Sequence, residues 1–91
     1  MTSVQTFERV IELQRRIDEC LKTLTTELIA VLGRPTSLVY QPGDGWCVCY
    51  ELKRPGLGIY DANSPITPAD LKQLLKMTPT AALGFLESKA I

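Results

Sequence analysis

Residues 7–31 of this chain read FERVIELQRRIDECLKTLTTELIAV, and their pattern decides most of the fold. Apolar residues recur in steps of three and four, which is the a/d spacing of a heptad helix. The stripe has eight members, of which only Gln14 is polar: Phe7, Val10, Gln14, Ile17, Leu21, Leu24, Leu28 and Val31. A stripe of this kind needs a partner surface, so we expect these eight positions to form a homodimer interface in which Gln14 sets the register.

Residues on both sides of the stripe define a helix over 3–32. Thr2 and Gln5 have capping-box spacing at its start, and Gly33 followed by Pro35 is a strong stop signal. Thirty helical residues span about 45 Å, whereas a compact domain of this length has a diameter of roughly 30 Å. The helix is therefore predicted to extend beyond its own domain, with one side on the sheet and another on a second copy.

The middle of the chain predicts a three-stranded antiparallel meander over 37–61. Its strands, 37–41, 46–52 and 57–61, are separated by two turn signals rich in Pro and Gly. If Gln41 pairs with Trp46, one face of the sheet carries Leu38, Tyr40, Cys47, Cys49 and Tyr60. The other face then carries Val39, Trp46, Val48, Tyr50, Leu52, Leu57 and Ile59. Both faces are apolar, which predicts that each is covered.

Two short helices are predicted after the meander, over 68–77 and 79–89. Each begins with a threonine followed by a proline, Thr67-Pro68 and Thr78-Pro79, which suit the N-cap and the first helical position. The expected fold is thus α+β, in the order α-β-β-β-α-α, and the 91 residues are expected to form one domain.

Composition excludes several function classes. Ten basic residues balance ten acidic ones, so no net charge attracts the chain to nucleic acid or to anionic membranes. The sequence contains no histidine, the commonest general base and metal ligand. We therefore expect no enzyme, no cofactor and no metal site. The chain lacks an apolar run long enough for a membrane span, lacks signal-peptide order, and has three cysteines, which together predict a cytoplasmic protein.

Two alternative functions depend on individual motifs. Cys47 and Cys49 lie two residues apart on one strand, which would suit a thiol-dependent redox or metal protein, although C-x-C is not the usual zinc or thioredoxin spacing. The helix pair at 68–77 and 79–89 has the short junction of a helix-turn-helix, which would suit a nucleic-acid-binding regulator. Its last helix, however, is mainly apolar.

The remaining feature is a concentration of aromatic residues in the meander. Tyr40, Trp46 and Tyr60, together with Arg54, are of the types that anchor protein interfaces. We predict that these four residues bind an unidentified protein partner. The sequence as a whole favours a small homodimeric adaptor, regulator, inhibitor or chaperone, and its size would suit an accessory protein of a phage.

Overall fold

The computed structural model of the chain describes residues 2–90. It contains α1 (Ser3–Leu32), β1 (Thr36–Gln41), β2 (Gly45–Arg54), β3 (Gly58–Pro65), α2 (Pro68–Leu74) and α3 (Pro79–Glu87). The three strands form one antiparallel sheet in the order β1-β2-β3. This confirms the predicted α+β fold and its α-β-β-β-α-α order.

Local capping explains why α1 begins and ends at the predicted residues. The Thr2 hydroxyl accepts the Gln5 backbone N–H at 3.1 Å, and the Gln5 side chain accepts the Thr2 N–H at 3.0 Å. At the other end Gly33 takes the left-handed conformation, with φ of 65°, and donates its N–H to the Ile29 carbonyl. Glycine adopts this conformation without steric cost, so the helix stops there.

The β1–β2 turn is one residue shorter than predicted. Gln41 pairs with Gly45 and not with Trp46. The Asp44 N–H donates to the Gln41 carbonyl at 3.0 Å, and Gly43, at φ of 91°, occupies the position of that turn that requires positive φ. The predicted pairing was wrong because it treated all four turn residues as loop, whereas the last of them already belongs to β2.

The β2–β3 turn repeats the same local sequence. Residues 41–45 and 54–58 both read X-Pro-Gly-X-Gly, and in the second turn the Leu57 N–H donates to the Arg54 carbonyl at 3.1 Å. Arg54 pairs with Gly58 as Gln41 pairs with Gly45. Two similar turns thus determine the register of the whole sheet.

A slip of one residue exchanges the faces of a strand, so the predicted faces of the sheet were also wrong. One face carries Leu38, Tyr40, Trp46, Val48, Tyr50, Leu52, Tyr60 and Ala62, and the other carries Ser37, Val39, Cys47, Cys49, Glu51, Lys53, Asp61 and Asn63. The first face contributes to the main apolar cluster of the described residues. The second is mixed in character, with Cys47 buried and Lys53 and Asp61 exposed, so the expectation that both faces are apolar is wrong.

All three helices pack on the core face. The buried core consists of Leu28, Leu32, Val48, Tyr50, Leu52, Leu74, Ala82 and Leu86.

The C-terminal ends of the two short helices differ slightly from prediction. Helix α2 stops at Leu74 and α3 at Glu87, because the following residues form tighter i→i+3 bonds, such as Met77 N–H to the Leu74 carbonyl.

Strand β3 continues to Pro65 instead of ending at Asp61. Its second half, Ala-Asn-Ser-Pro, has low intrinsic strand preference. It is nevertheless in the sheet because Ser64 pairs with Val48 and Pro65 with Cys47 on β2. Tertiary pairing therefore outweighs local preference in this segment.

The molecule is elongated, with principal dimensions of 56 × 27 × 20 Å and a radius of gyration of 15.9 Å. A compact chain of this length would have a radius near 12 Å. Because α1 is much longer than the body formed by the sheet, α2 and α3, it extends beyond that body as predicted. No helix within residues 2–90 is long and apolar enough to cross a membrane.

Candidate interaction surface

Helix α1 divides into two halves with different surroundings. In the C-terminal half, Leu28 and Leu32 are completely or almost completely buried against the body, and Leu21, Leu24 and Val31 are partly buried. In the N-terminal half, residues 3–20, every residue is exposed except Glu12, which is partly buried. We call residues 3–20 the free half of α1.

The free half carries a broad apolar face that the rest of the described chain leaves exposed. The members of this face are 46–67% exposed: Val4, Phe7, Val10, Ile11, Leu13 and Ile17. Of the eight positions predicted for the dimer interface, Phe7, Val10, Gln14 and Ile17 lie in the free half. Of the other four, Leu28 and Val31 pack into the chain's own core, and Leu21 and Leu24 are partly buried where α1 meets the body. The structure therefore divides the predicted stripe between two environments.

The opposite side of the free half is charged and internally paired. Arg15 contacts Glu12 and Glu19, each at 2.6 Å, and Arg16 contacts Glu12 at 3.3 Å. The hydrogen bonds from Arg15 hold the pKa of the Glu12 carboxyl below its ordinary value. Exposed ion pairs of this kind add little stability individually. They indicate instead which side of the helix faces water.

An apolar cavity of about 300 Å³ lies where α1 leaves the body. It is lined by residues from α1, the core face of the sheet, the β3–α2 connection and α2: Leu21, Leu24, Leu38, Trp46, Ile66, Thr67, Pro68 and Leu71. Thr67 supplies the only hydroxyl among these side chains. We call this space the apolar cavity; an open apolar surface of this kind is typical of a site that binds another apolar group.

The aromatic pair Tyr40 and Trp46 stands beside the cavity. The two residues are register partners on β1 and β2, and their rings meet edge to face with centroids 5.6 Å apart. Tyr40 is 62% exposed and Trp46 43%. Two of the predicted partner-binding residues therefore lie together at this end of the sheet, on the same side as the apolar cavity.

The other two predicted partner-binding residues lie at the opposite end of β2. The Arg54 guanidinium lies over the Tyr60 ring at 5.9 Å, and both residues line a more polar groove of about 530 Å³ that also includes Glu87. Leu57 and Ile59, at the adjacent turn and on β3, are 71% and 63% exposed. The four predicted residues thus form two separate pairs.

The thiols of Cys47 and Cys49 project from the sheet face that does not enter the core. Cys47 is buried and Cys49 is partly exposed. Burial, with a contribution from the Asp44 charge, raises the pKa of the Cys47 thiol, which disfavours the reactive thiolate. No group of three or more Cys, Asp or Glu side chains positioned to hold a metal ion occurs within the described part of the chain.

Helix α3 packs on the core through one side and exposes the other. Its apolar side is packed through Ala82 and Leu86, and the exposed positions include Thr80, Ala81 and Glu87. No Lys or Arg occurs between Pro79 and Glu87. A recognition helix normally presents such side chains to phosphates and base edges.

Sequence reasoning did not find the apolar cavity. Its walls come from segments far apart in the chain, and the contribution of Leu38 depends on the β1 register, which was predicted incorrectly. The only sequence signal was the series of apolar residues around Ile66 and Leu71 at the start of α2.

A comparison of the chain with protein-family models, with curated proteins and with solved structures finds no match.

Proposed function

We propose that this chain is a small, non-catalytic, homodimeric protein-binding module that associates through the free half of α1. The observation that carries the proposal is the apolar face of residues 3–20, which is exposed along its whole length while the rest of the same helix is packed. A helix with such a face and a charged opposite side is usually stabilised by packing against another surface.

The size of the exposed face supports self-association. Fully burying a large apolar side chain contributes about 1.5–3 kcal/mol, so covering six half-exposed side chains on each of two copies contributes on the order of 10 kcal/mol. This is comparable with the ~4–15 kcal/mol that association costs in lost freedom. A second copy presents the same six side chains, so one interface covers both faces.

We propose that an additional protein partner binds at the Arg54–Tyr60 end of the sheet. An arginine stacked on a tyrosine, next to the exposed Leu57 and Ile59, has the composition of an interface anchor. This end lies about 26 Å along β2 from Trp46, so it remains available when the free half of α1 is occupied.

The cytoplasm is the proposed compartment. All three cysteines, Cys20, Cys47 and Cys49, are free thiols, and Cys20 is exposed. Free thiols of this kind are typical of proteins in reducing compartments.

The dimer is tested by multi-angle light scattering after size exclusion, on the wild type and two variants. Ile17→Asp places a charge in the exposed apolar face, and Thr26→Asp places the same side chain on the exposed outer side of α1, one turn from Lys22. We expect the wild type and T26D to have twice the 10.1 kDa chain mass and I17D to be monomeric. A monomeric wild type, or a dimeric I17D, would contradict the proposal.

The partner surface is tested by affinity capture with a matched pair of variants. Leu57→Asp changes the exposed tip next to Arg54, whereas Thr26→Asp leaves it intact. We expect the wild type and T26D to retain a protein that L57D loses. If L57D captures the same proteins, the partner does not bind at this end of the sheet.

A further inference from the structure

We propose that the two copies pair antiparallel and that Phe7 of each copy enters the apolar cavity of the other. This inference rests on the proposed homodimer and adds its orientation and its principal contact. Three features support it: the division of the α1 stripe, the position and size of the cavity, and the area that a stable interface requires.

The division of the stripe disfavours a parallel pair. In the C-terminal half of α1, the stripe is already covered by the chain's own body, through Leu28 and Val31. A parallel partner helix following the exposed face of the free half would meet both bodies at the same end, where each already occupies this stripe. An antiparallel pair places the two bodies at opposite ends, so the free halves overlap without this conflict.

The chain cannot fill its own cavity from the free half. Phe7 lies fourteen residues before Leu21, which is about 21 Å along a rigid helix. A cavity of ~150 Å³ accommodates a benzene ring, so the observed 300 Å³ has room for the Phe7 ring. In an antiparallel pair, Phe7 of the second copy lies next to the point where α1 of the first copy enters its body. The apolar cavity is at this point.

This contact also determines where the two-fold axis lies. If Phe7 of one copy is level with Leu21 to Leu24 of the other, the axis passes close to Gln14 and Arg15. Gln14 is the single polar residue of the stripe, and within one chain its side-chain amide donates to Asp18 at 2.9 Å. Near the axis, the Gln14 side chains of the two copies face each other, where an amide can both donate and accept.

The area requirement favours the same arrangement. The free half is about 27 Å long and its apolar side is about half of a helix circumference, so helix pairing alone buries on the order of 1,000 Å² over both copies. That is only the lower limit for a specific interface. Two cavities, each receiving a Phe7 ring and covering part of Trp46, raise the buried area above this limit.

Trp46 gives the first test, because it lines the cavity and is the only tryptophan of the chain. We expect its emission to be blue-shifted in the wild-type dimer and to move red on dilution to monomer. The Phe7→Ala variant, at concentrations where light scattering shows dimer, should keep the red-shifted emission. The matched variant Leu13→Ala weakens the same interface near its axis, away from the cavity, and should keep the blue shift in its dimer. Equal emission from the wild-type and F7A dimers would overturn the proposed contact.

Cross-linking tests the orientation through the native thiol of Cys20. Thr6→Cys introduces a second thiol on the same flank of α1, fourteen residues away, in a Cys49→Ala background. A short bis-maleimide cannot span the roughly 21 Å between these positions within one helix. We expect peptide mapping of the cross-linked dimer to show links between position 6 of one copy and position 20 of the other, because antiparallel pairing brings them within about one turn.

The alternative outcomes separate this inference from the proposed function. Links only between like positions, 6 to 6 and 20 to 20, would show a parallel dimer, which would overturn the orientation and leave the homodimer standing. A chain that remains monomeric in light scattering before cross-linking would overturn both.

Discussion

A buried hydrogen-bond chain attaches α3 to the sheet, and its removal should have a large and specific effect on stability. The Ser64 side chain, which is completely buried, donates to the Leu86 carbonyl at 2.6 Å and lies 2.9 Å from the Tyr50 hydroxyl. Because Ser64 has a single hydroxyl proton, the Tyr50 hydroxyl is the donor to Ser64. Burial raises the pKa of Tyr50, which keeps that proton in place.

The Ser64→Ala variant removes both bonds and leaves the Tyr50 hydroxyl buried without an acceptor. The Leu86 carbonyl still accepts the Lys89 N–H at 3.0 Å, so the orphaned Tyr50 hydroxyl is the main loss. We expect Ser64→Ala to lower the free energy of unfolding by about 2–3 kcal/mol and Tyr50→Phe by about 1 kcal/mol. The double variant should be more stable than additivity predicts by about 1 kcal/mol, because Phe removes the group that Ser64→Ala orphans.

The assay is urea denaturation followed by far-UV circular dichroism, at one protein concentration because dimerisation contributes to apparent stability. Ser88→Ala is the matched control: its hydroxyl also donates to a carbonyl, that of Phe85, but it is exposed. We expect it to change stability by less than ~0.5 kcal/mol. Additive effects of the two core changes, or equal effects of Ser64→Ala and Ser88→Ala, would refute the reasoning.

Three further predictions concern the dimer surface, the start of α2 and the interior of α3. Phe7→Ala removes a side chain that is 63% exposed in the single chain, so sedimentation equilibrium should show dimer affinity weakened by about 3 kcal/mol, roughly a hundredfold. The hydrogen bond from the Thr67 backbone N–H lowers the pKa of the Asp70 carboxyl in the folded chain. The stability that the ionised carboxylate adds is therefore fully present at pH values above its ordinary pKa near 3.8, and it is lost as the pH falls through the lower pKa of the folded state. When stability is measured against pH in acid, Asp70→Asn should lack this loss. Gly84→Ala should raise the melting temperature, with a gain of about 1 kcal/mol, because a Cβ there meets no atom within 4 Å.

The sequence predicts best where structure depends on neighbouring residues. The bounds of α1 follow from the Thr2 cap and from Gly33, each of which acts within one helical turn. The order of the six elements follows in the same way from turn and proline signals. These are interactions over two to four residues, and they require no knowledge of the rest of the fold.

Register was predicted incorrectly because the turn sequence is compatible with two loop lengths. Pro42-Gly43-Asp44-Gly45 reads as a turn in either case, and only the conformation of Gly45, which pairs with Gln41, shows that the loop has three residues. Since side chains alternate along a strand, this single residue reversed the faces of β1. The end of β3 was missed for a related reason, because its pairing with β2 compensates for a weak local preference.

The candidate interface could be predicted only in part. Heptad spacing identifies the apolar side of α1, but it treats Phe7 and Leu28 alike. Leu28 is buried because strands and helices later in the chain pack against it. No later element of the described chain packs over Phe7, which stays exposed. The apolar cavity depends on four segments meeting, so the apolar residues around Ile66 and Leu71 do not by themselves reveal it.

Hydrogen exchange along α1 tests most directly whether the free half is a self-association surface. Most helical stability in proteins comes from the packing of an amphipathic face, and the apolar face of the free half is exposed in a single chain. The amides of residues 3–20 therefore depend on the partner copy for protection. We expect them to be protected at concentrations where the dimer is populated and to exchange freely on dilution, while amides around Leu28 and Leu32 stay protected throughout. Free exchange of residues 3–20 at every concentration, or protection that does not change with dilution, would contradict the account.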